Sequence, residues 1–342
     1  MGDTVHRWIL GVILLPIWGS LCHAEDLPKL AILTDIGGDP DDQQSLVRWM
    51  IYANQFDLQV MVASSAGTLG ELKTPTTRPD LIHQVIDAYA KVRPKLIMHE
   101  QGWPSAEELH AKVASGNVQR GLSAIGDGND TPGSNALIAA IDRCDRASPL
   151  NVAIWGGQTD LAQALWRIRT DRGQAGLENA IARLRIYDIN DQDQIADWMR
   201  KEFDGMFYIL AKAPPGKDKR LGTYRGMYLT GDESLTSLEW IDANIRSTGP
   251  LGALYPIKTW TAPNPHSCMK EGDTPSWFFF LKRGGNNPSD PTQAGWGGQY
   301  KKAPSGWYRD LETTDRFDAR STVSRWREEF QKDFAKRMAW CR

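Results

Sequence analysis

The sequence is poor in the residues that build soft-metal and redox sites. Its 342 residues include four cysteines and six histidines, with no spacing of either that would ligate zinc. Charge of one sign is also lacking. The formal net charge is −2, with no basic stripe, which argues against a nucleic-acid partner. There is no internal repeat and no low-complexity tract. Long apolar runs are missing with one exception, Trp8 to Leu21, which follows His6 and Arg7 and ends in Cys22-His23-Ala24. That run is short for a bilayer span, and the small residues at Cys22 and Ala24 suit a signal-peptidase site before Glu25. Residues 1–24 are therefore expected to be a signal peptide and residues 25–342 one secreted or periplasmic domain, with no membrane attachment after cleavage. Loss of the signal removes Asp3 and Arg7 and leaves the net charge unchanged. It also leaves Cys144, Cys268 and Cys341, so at most one disulfide can form and a disulfide-built scaffold is excluded.

Hydrophobic residues make up 41% of the chain, enough for an ordinary buried core. From Glu25 to about Ala211, short apolar runs alternate with helical periodicities. Strands are expected at Lys29–Leu33, Leu58–Ser64, Lys95–Met98, Leu150–Trp155, Leu184–Ile189 and Phe207–Ala211. Helices are expected at 79–91, 134–146, 160–169 and 193–203. This alternation predicts an α/β fold: an open, mostly parallel, twisted sheet flanked by helices, Rossmann-like, with ligands beyond the carboxyl ends of the strands. From Ala213 onward Pro, Gly and Asn become frequent, and six tryptophans follow residue 250. This part reads as a loop-rich, Trp-rich elaboration of the same domain, closed by a helix over about 322–340.

The strongest signal is Thr34-Asp35-Ile36-Gly37-Gly38-Asp39-Pro40-Asp41-Asp42-Gln43, where four carboxylates crowd a turn between the first strand and the helical spacing of Leu46, Trp49, Met50 and Ala53. One or two aspartates would suffice to cap a helix. Four repel one another, and a bound cation relieves that repulsion. With only oxygen donors in the cluster, calcium fits best and magnesium second.

The turn resembles the aspartate signature of nucleoside hydrolases, with two extra residues before the Asp-Asp pair. That form is similar to a divergent bacterial and fungal subgroup, nucleoside-hydrolase-like and sometimes labelled cellulose-binding. Two more segments carry the resemblance: Gly156-Gly157-Gln158-Thr159-Asp160-Leu161 after a strand, and Glu271-Gly272-Asp273-Thr274-Pro275-Ser276. The resemblance implies that Asp35, Asp42, Asp273 and the Thr159 carbonyl ligate Ca2+ and that Asp35 is the general base. It further implies that Asp41 and Asn190 bind sugar hydroxyls, and that water attacks the anomeric carbon with inversion.

Some positions depart from the family. Gly272 stands where many nucleoside hydrolases place a histidine, so leaving-group help is sought in Glu271 or His266. Trp277 and Trp296 are the candidate stacking faces for sugar. Asp39 has no assigned role. The expected ligand is a small molecule or oligosaccharide, and association with a second copy is left open. Three functions remain: a calcium-dependent glycosidase acting on saccharides, a ribonucleoside hydrolase, and a noncatalytic saccharide-binding protein.

Overall fold

The computed structural model describes residues 1–2, 27–68, 70–259 and 265–342. The expected signal peptide, apart from its first two residues, and Trp260 lie outside the described residues. Eight strands form one sheet: β1 (Lys29–Thr34), β2 (Asp57–Ala63), β3 (Val113–Ser115), β4 (Leu150–Trp155), β5 (Leu184–Ile189), β6 (Phe207–Ala211), β7 (Tyr300–Lys302) and β8 (Tyr308–Asp310). Their spatial order is β3-β2-β1-β4-β5-β6-β8-β7. Every pairing is parallel except β7 with β8.

The alternation of side chains along β1 explains the apolar run Leu30 to Leu33 at its centre. Leu30 and Ile32 enter one core and Ala31 and Leu33 the other, as a central parallel strand covered on both faces requires. The first core is roofed by α1 (Asp41–Met50), α2 (Pro79–Leu96) and the C-terminal helix Arg327–Ala339; the second by helices 132–142, 158–181 and 196–202. The strand order reverses between β1 and β4, so the loops leaving these two strands flank the crevice where open α/β sheets bind ligands.

Two expectations are corrected here. Lys95–Met98 is not a strand: its first two residues form the end of α2, with Val92 and Leu96 buried four apart and Met98 facing solvent. Pro94 lies inside this helix, although proline in a helix interior costs a hydrogen bond. The next strand is instead the short β3. The Trp-rich region is also less loop-like than its composition suggests, because it adds β7 and β8 to the sheet edge. Cys144, Cys268 and Cys341 are all unpaired. Among the described residues no helix is long and apolar enough to cross a membrane.

Candidate active site

β1 ends at Thr34, and the chain turns through Asp35 to Pro40 before α1 begins at Asp41. Two glycines make the turn possible. A Cβ on Gly38 would lie 2.4 Å from the Gly67 Cα, and one on Gly156, whose φ is +123°, would lie 2.5 Å from the Asp35 side chain. The loops after β1, β2 and β4 therefore pack backbone to backbone around Asp35.

α1 has no side-chain cap at its N-terminus, so Asp41 and Asp42 are left to the cavity. The Thr34 hydroxyl donates to Asp42 Oδ1 at 2.6 Å. Asp273 arrives from the far end of the chain, and one face of α1 holds its loop in place. Gln44 Oε1 accepts the Lys270 N–H at 2.9 Å, while its amide donates to the carbonyls of Pro256 and Cys268. One turn on, Arg48 is paired with Glu271 at 2.5 Å, both side chains being fully buried.

This clamp brings Asp41, Asp42 and Asp273 together, with one oxygen from each lying within 4.8 Å of the others. Asp273 Oδ2 is buried without a hydrogen-bond partner among the described residues. Burial, then the neighbouring carboxylates, raises the pKa of Asp273 well above the ordinary aspartate value. Asp42 is raised well above it by burial and by Asp41; Asp35 likewise, by burial and by Asp42. Asp41 is raised by burial but restrained by Lys270. The Lys270 ammonium lies 2.6 Å from Asp39 and 3.0 Å from Asp41. Burial opposes its charge, yet Asp41, Tyr228 and Asp39 hold its pKa above the usual lysine value.

The resulting cavity has a volume of about 80 Å³ and includes Asp35, Asp41, Asp42, Asn190, Lys270 and Asp273 in its lining. It is an acidic pocket of oxygen donors beyond the carboxyl ends of β1 and β5, beside the switch point. Residues 29–300 match the family described as cellulose-binding Sde182, nucleoside hydrolase-like domain. The chain belongs to this Sde182 family. It is also similar to a solved structure described as a nucleoside hydrolase-related hypothetical protein from Saccharophagus degradans associated with carbohydrate metabolism. The identity is 28% and the TM-score 0.72, covering 92% of this chain and 72% of that one. No curated protein matches the chain.

In this Sde182-family chain the remaining candidates fall on both sides of the cavity wall. Asn190 lines the cavity at φ +70° with no side-chain hydrogen bond among the described residues. Thr159 is buried in the first turn of helix 158–181, outside the lining. Its N–H and hydroxyl both donate to Asp193, at 2.8 and 2.7 Å. His266 also lies outside the lining.

Three expected roles are corrected. Glu271 cannot reach a leaving group, because its oxygens are spent on Arg48, Tyr255 and Thr274 in a fully buried network. Trp277 is core, packed on Tyr52 at 5.3 Å between ring centres. Trp296 is 3% exposed and packed on Phe278 and Phe330 rather than flexing out on its glycines. Sequence reasoning missed Lys270, Tyr224 and Arg225, all of which line the cavity. For Lys270 the available signal was its place three residues before Asp273; Tyr224 and Arg225 sit in a stretch with no motif.

Proposed function

We propose that this Sde182-family protein is an exported, calcium-dependent hydrolase of glycosidic bonds in a saccharide. The observation that carries this reading is the convergence of Asp41, Asp42 and Asp273, with an unpartnered buried oxygen on Asp273. Carboxylates held so close repel unless a proton or cation lies among them, and a donor set made of oxygen suits a hard divalent ion, calcium before magnesium. Asp42 and Asp273 would hold the ion, with Asp35 and Asp41 beside them. Thr159, whose carbonyl is the expected ligand, is left out of this set because the residue lies outside the cavity lining. The ion would supply Lewis-acid polarisation of a water or sugar-hydroxyl oxygen.

The side chains of the cavity provide the rest. Asp35 takes the proton of the attacking water as general base. Asp41 accepts, and the Asn190 amide donates, hydrogen bonds with sugar hydroxyls that hold the anomeric carbon towards Asp35. Direct attack by water forms the new C–O bond as the glycosidic C–O bond breaks, inverting the configuration there, and the departing oxygen takes its proton from solvent. The family's description as cellulose-binding and the carbohydrate association of the similar structure support a saccharide over a nucleoside. So does Gly272, which offers no side chain to a departing base.

Noncatalytic saccharide binding is the second reading. Lys270 favours it, since its ammonium already neutralises charge on Asp39 and Asp41. The two are separated by incubating the purified protein with plant-wall oligosaccharides and with nucleosides, with and without calcium, and following released sugar. Calcium-stimulated sugar release supports hydrolysis; binding without turnover selects the second reading; base release from nucleosides overturns both.

A further inference from the structure

The acidic cavity, at about 80 Å³, has the volume of about two to three waters, so a sugar can present only the hydroxyl edge of one ring to its carboxylates. Any longer glycan must continue outside it. A second and larger concavity, about 530 Å³, opens at the carboxyl ends of β6 and β8, where Leu210 and Arg309 are register partners. It lies along the same edge of the sheet as the acidic cavity.

Two thin walls separate the two concavities, and each is shared. The first is the turn after β5, where Asn190 and Gln192 line the acidic cavity while Asp191, between them, lines the larger cleft. Asn190 and Asp191 both hold positive φ, +70° and +51°. This conformation is uncommon for residues other than glycine, and here it directs neighbouring side chains to opposite sides. The second wall is the segment beginning at Thr223. Its N–H donates at 2.7 Å to Asp310 of the cleft, and the next residue, Tyr224, lines the acidic cavity.

The cleft's chemistry suits a neutral glycan. Leu210, Ala213, Pro214 and Pro215 give it an apolar face, on which the C–H face of a pyranose ring can lie. Two of its cations are already neutralised, Lys212 by Asp191 at 2.9 Å and Lys301 by Glu312 at 2.6 Å. The pairs offer hydrogen bonds to hydroxyls without an excess of positive charge for a uronate. Asp310 Oδ1 is buried and makes no hydrogen bond of good geometry among the described residues.

We propose that this cleft is a glycan subsite, holding the rings of a neutral oligosaccharide that extend beyond the ring at the aspartates. The assignment rests on the saccharide reading of the acidic cavity. It makes the protein a reader of chain length: the cavity engages one ring and the cleft the ones that follow.

The test is calorimetric titration of the full chain with neutral cello-, xylo- and manno-oligosaccharides of increasing length. The wild type is compared with Ala213→Trp, which fills the cleft, and Lys301→Ala, which removes one of its polar edges and whose exposed position keeps folding safe. The wild type is expected to gain about tenfold or more in affinity from one ring to four. Ala213→Trp should lose that gain while still binding the shortest ligand, and Lys301→Ala should lose part of it. Length dependence that persists unchanged in both folded variants overturns the subsite. A wild type that binds no oligosaccharide of any length overturns the saccharide reading itself, and the subsite with it.

Discussion

The Lys270 ammonium lies 3.0 Å from Asp41 Oδ2, in a cavity where Asp41 is also clustered with Asp42 and Asp273. It is a counter-ion carried by the chain itself, so it and a divalent ion offset the same negative charge. Replacing it by a neutral side chain of similar length, Lys270→Met, is expected to tighten calcium binding by about tenfold or more and to lower the melting temperature of the calcium-free protein. Titration calorimetry and thermal denaturation measure the two effects. Calcium affinity equal to or weaker than the wild type's would show that the lysine is not opposing the ion.

Asp35 stands in the lining beside the three clustered carboxylates. Asp35→Ala is expected to lose about a hundredfold or more in turnover, as removal of a general base does, and to bind calcium more weakly. Circular dichroism should show a native fold. Full turnover by that variant would remove Asp35 from the chemistry.

Arg48 and Glu271 are both fully buried, and breaking such a pair strands a charge. Glu271→Gln is expected to destabilise the protein by about 3 kcal/mol or more, read as a lower midpoint in urea. Calcium binding should weaken as well, because the loop bearing Asp273 is held through this pair. Destabilisation by less than about 1 kcal/mol would show that the Gln44 clamp alone fixes the loop.

Asp160 lies away from the acidic cavity, accepting from the Ser64 hydroxyl at 2.7 Å and the Asn117 N–H at 2.8 Å. Burial raises its pKa to about 7. A carboxyl raised on folding stays protonated where the unfolded chain has released its proton. The stability it contributes is whole below the unfolded value of 3.8 and declines as pH rises towards about 7. The slope is at most about 1.4 kcal/mol per pH unit. Asp160→Asn should remove this component, so the variant's melting temperature relative to wild type should climb between pH 4.5 and 7.5. A difference that stays flat across that range would place the carboxyl's pKa near its ordinary value.

Much of the sheet could be read directly from the chain. β1, β4, β5 and β6 are central strands buried on both faces, and such strands are mostly apolar along their length, with few polar residues such as Asn151, Arg185 and Asp188 among them. The Lys95–Met98 error came from the same rule: a four-residue apolar run at a helix end is locally indistinguishable from a buried strand, and only its neighbours in space decide. β7 and β8 were hidden because strands of three residues carry too little pattern. In the site, the turn around Asp35, Asp41 and Asp42 was visible because it is contiguous, and the Glu271-to-Ser276 motif pointed to Asp273. The fates of Glu271, Trp277 and Trp296 depend on what packs against them. Arg48, Tyr52 and Phe330 make those contacts from remote segments, and no spacing rule reveals them.

Lys270 and Asp39 meet across 231 positions of chain. Until the later segment has been synthesised and docked, the aspartate turn has neither its lysine nor its third clustered carboxylate. An ion can therefore do little to hasten collapse of the growing polypeptide. Its effect would fall on the finished protein, by slowing escape from the native state.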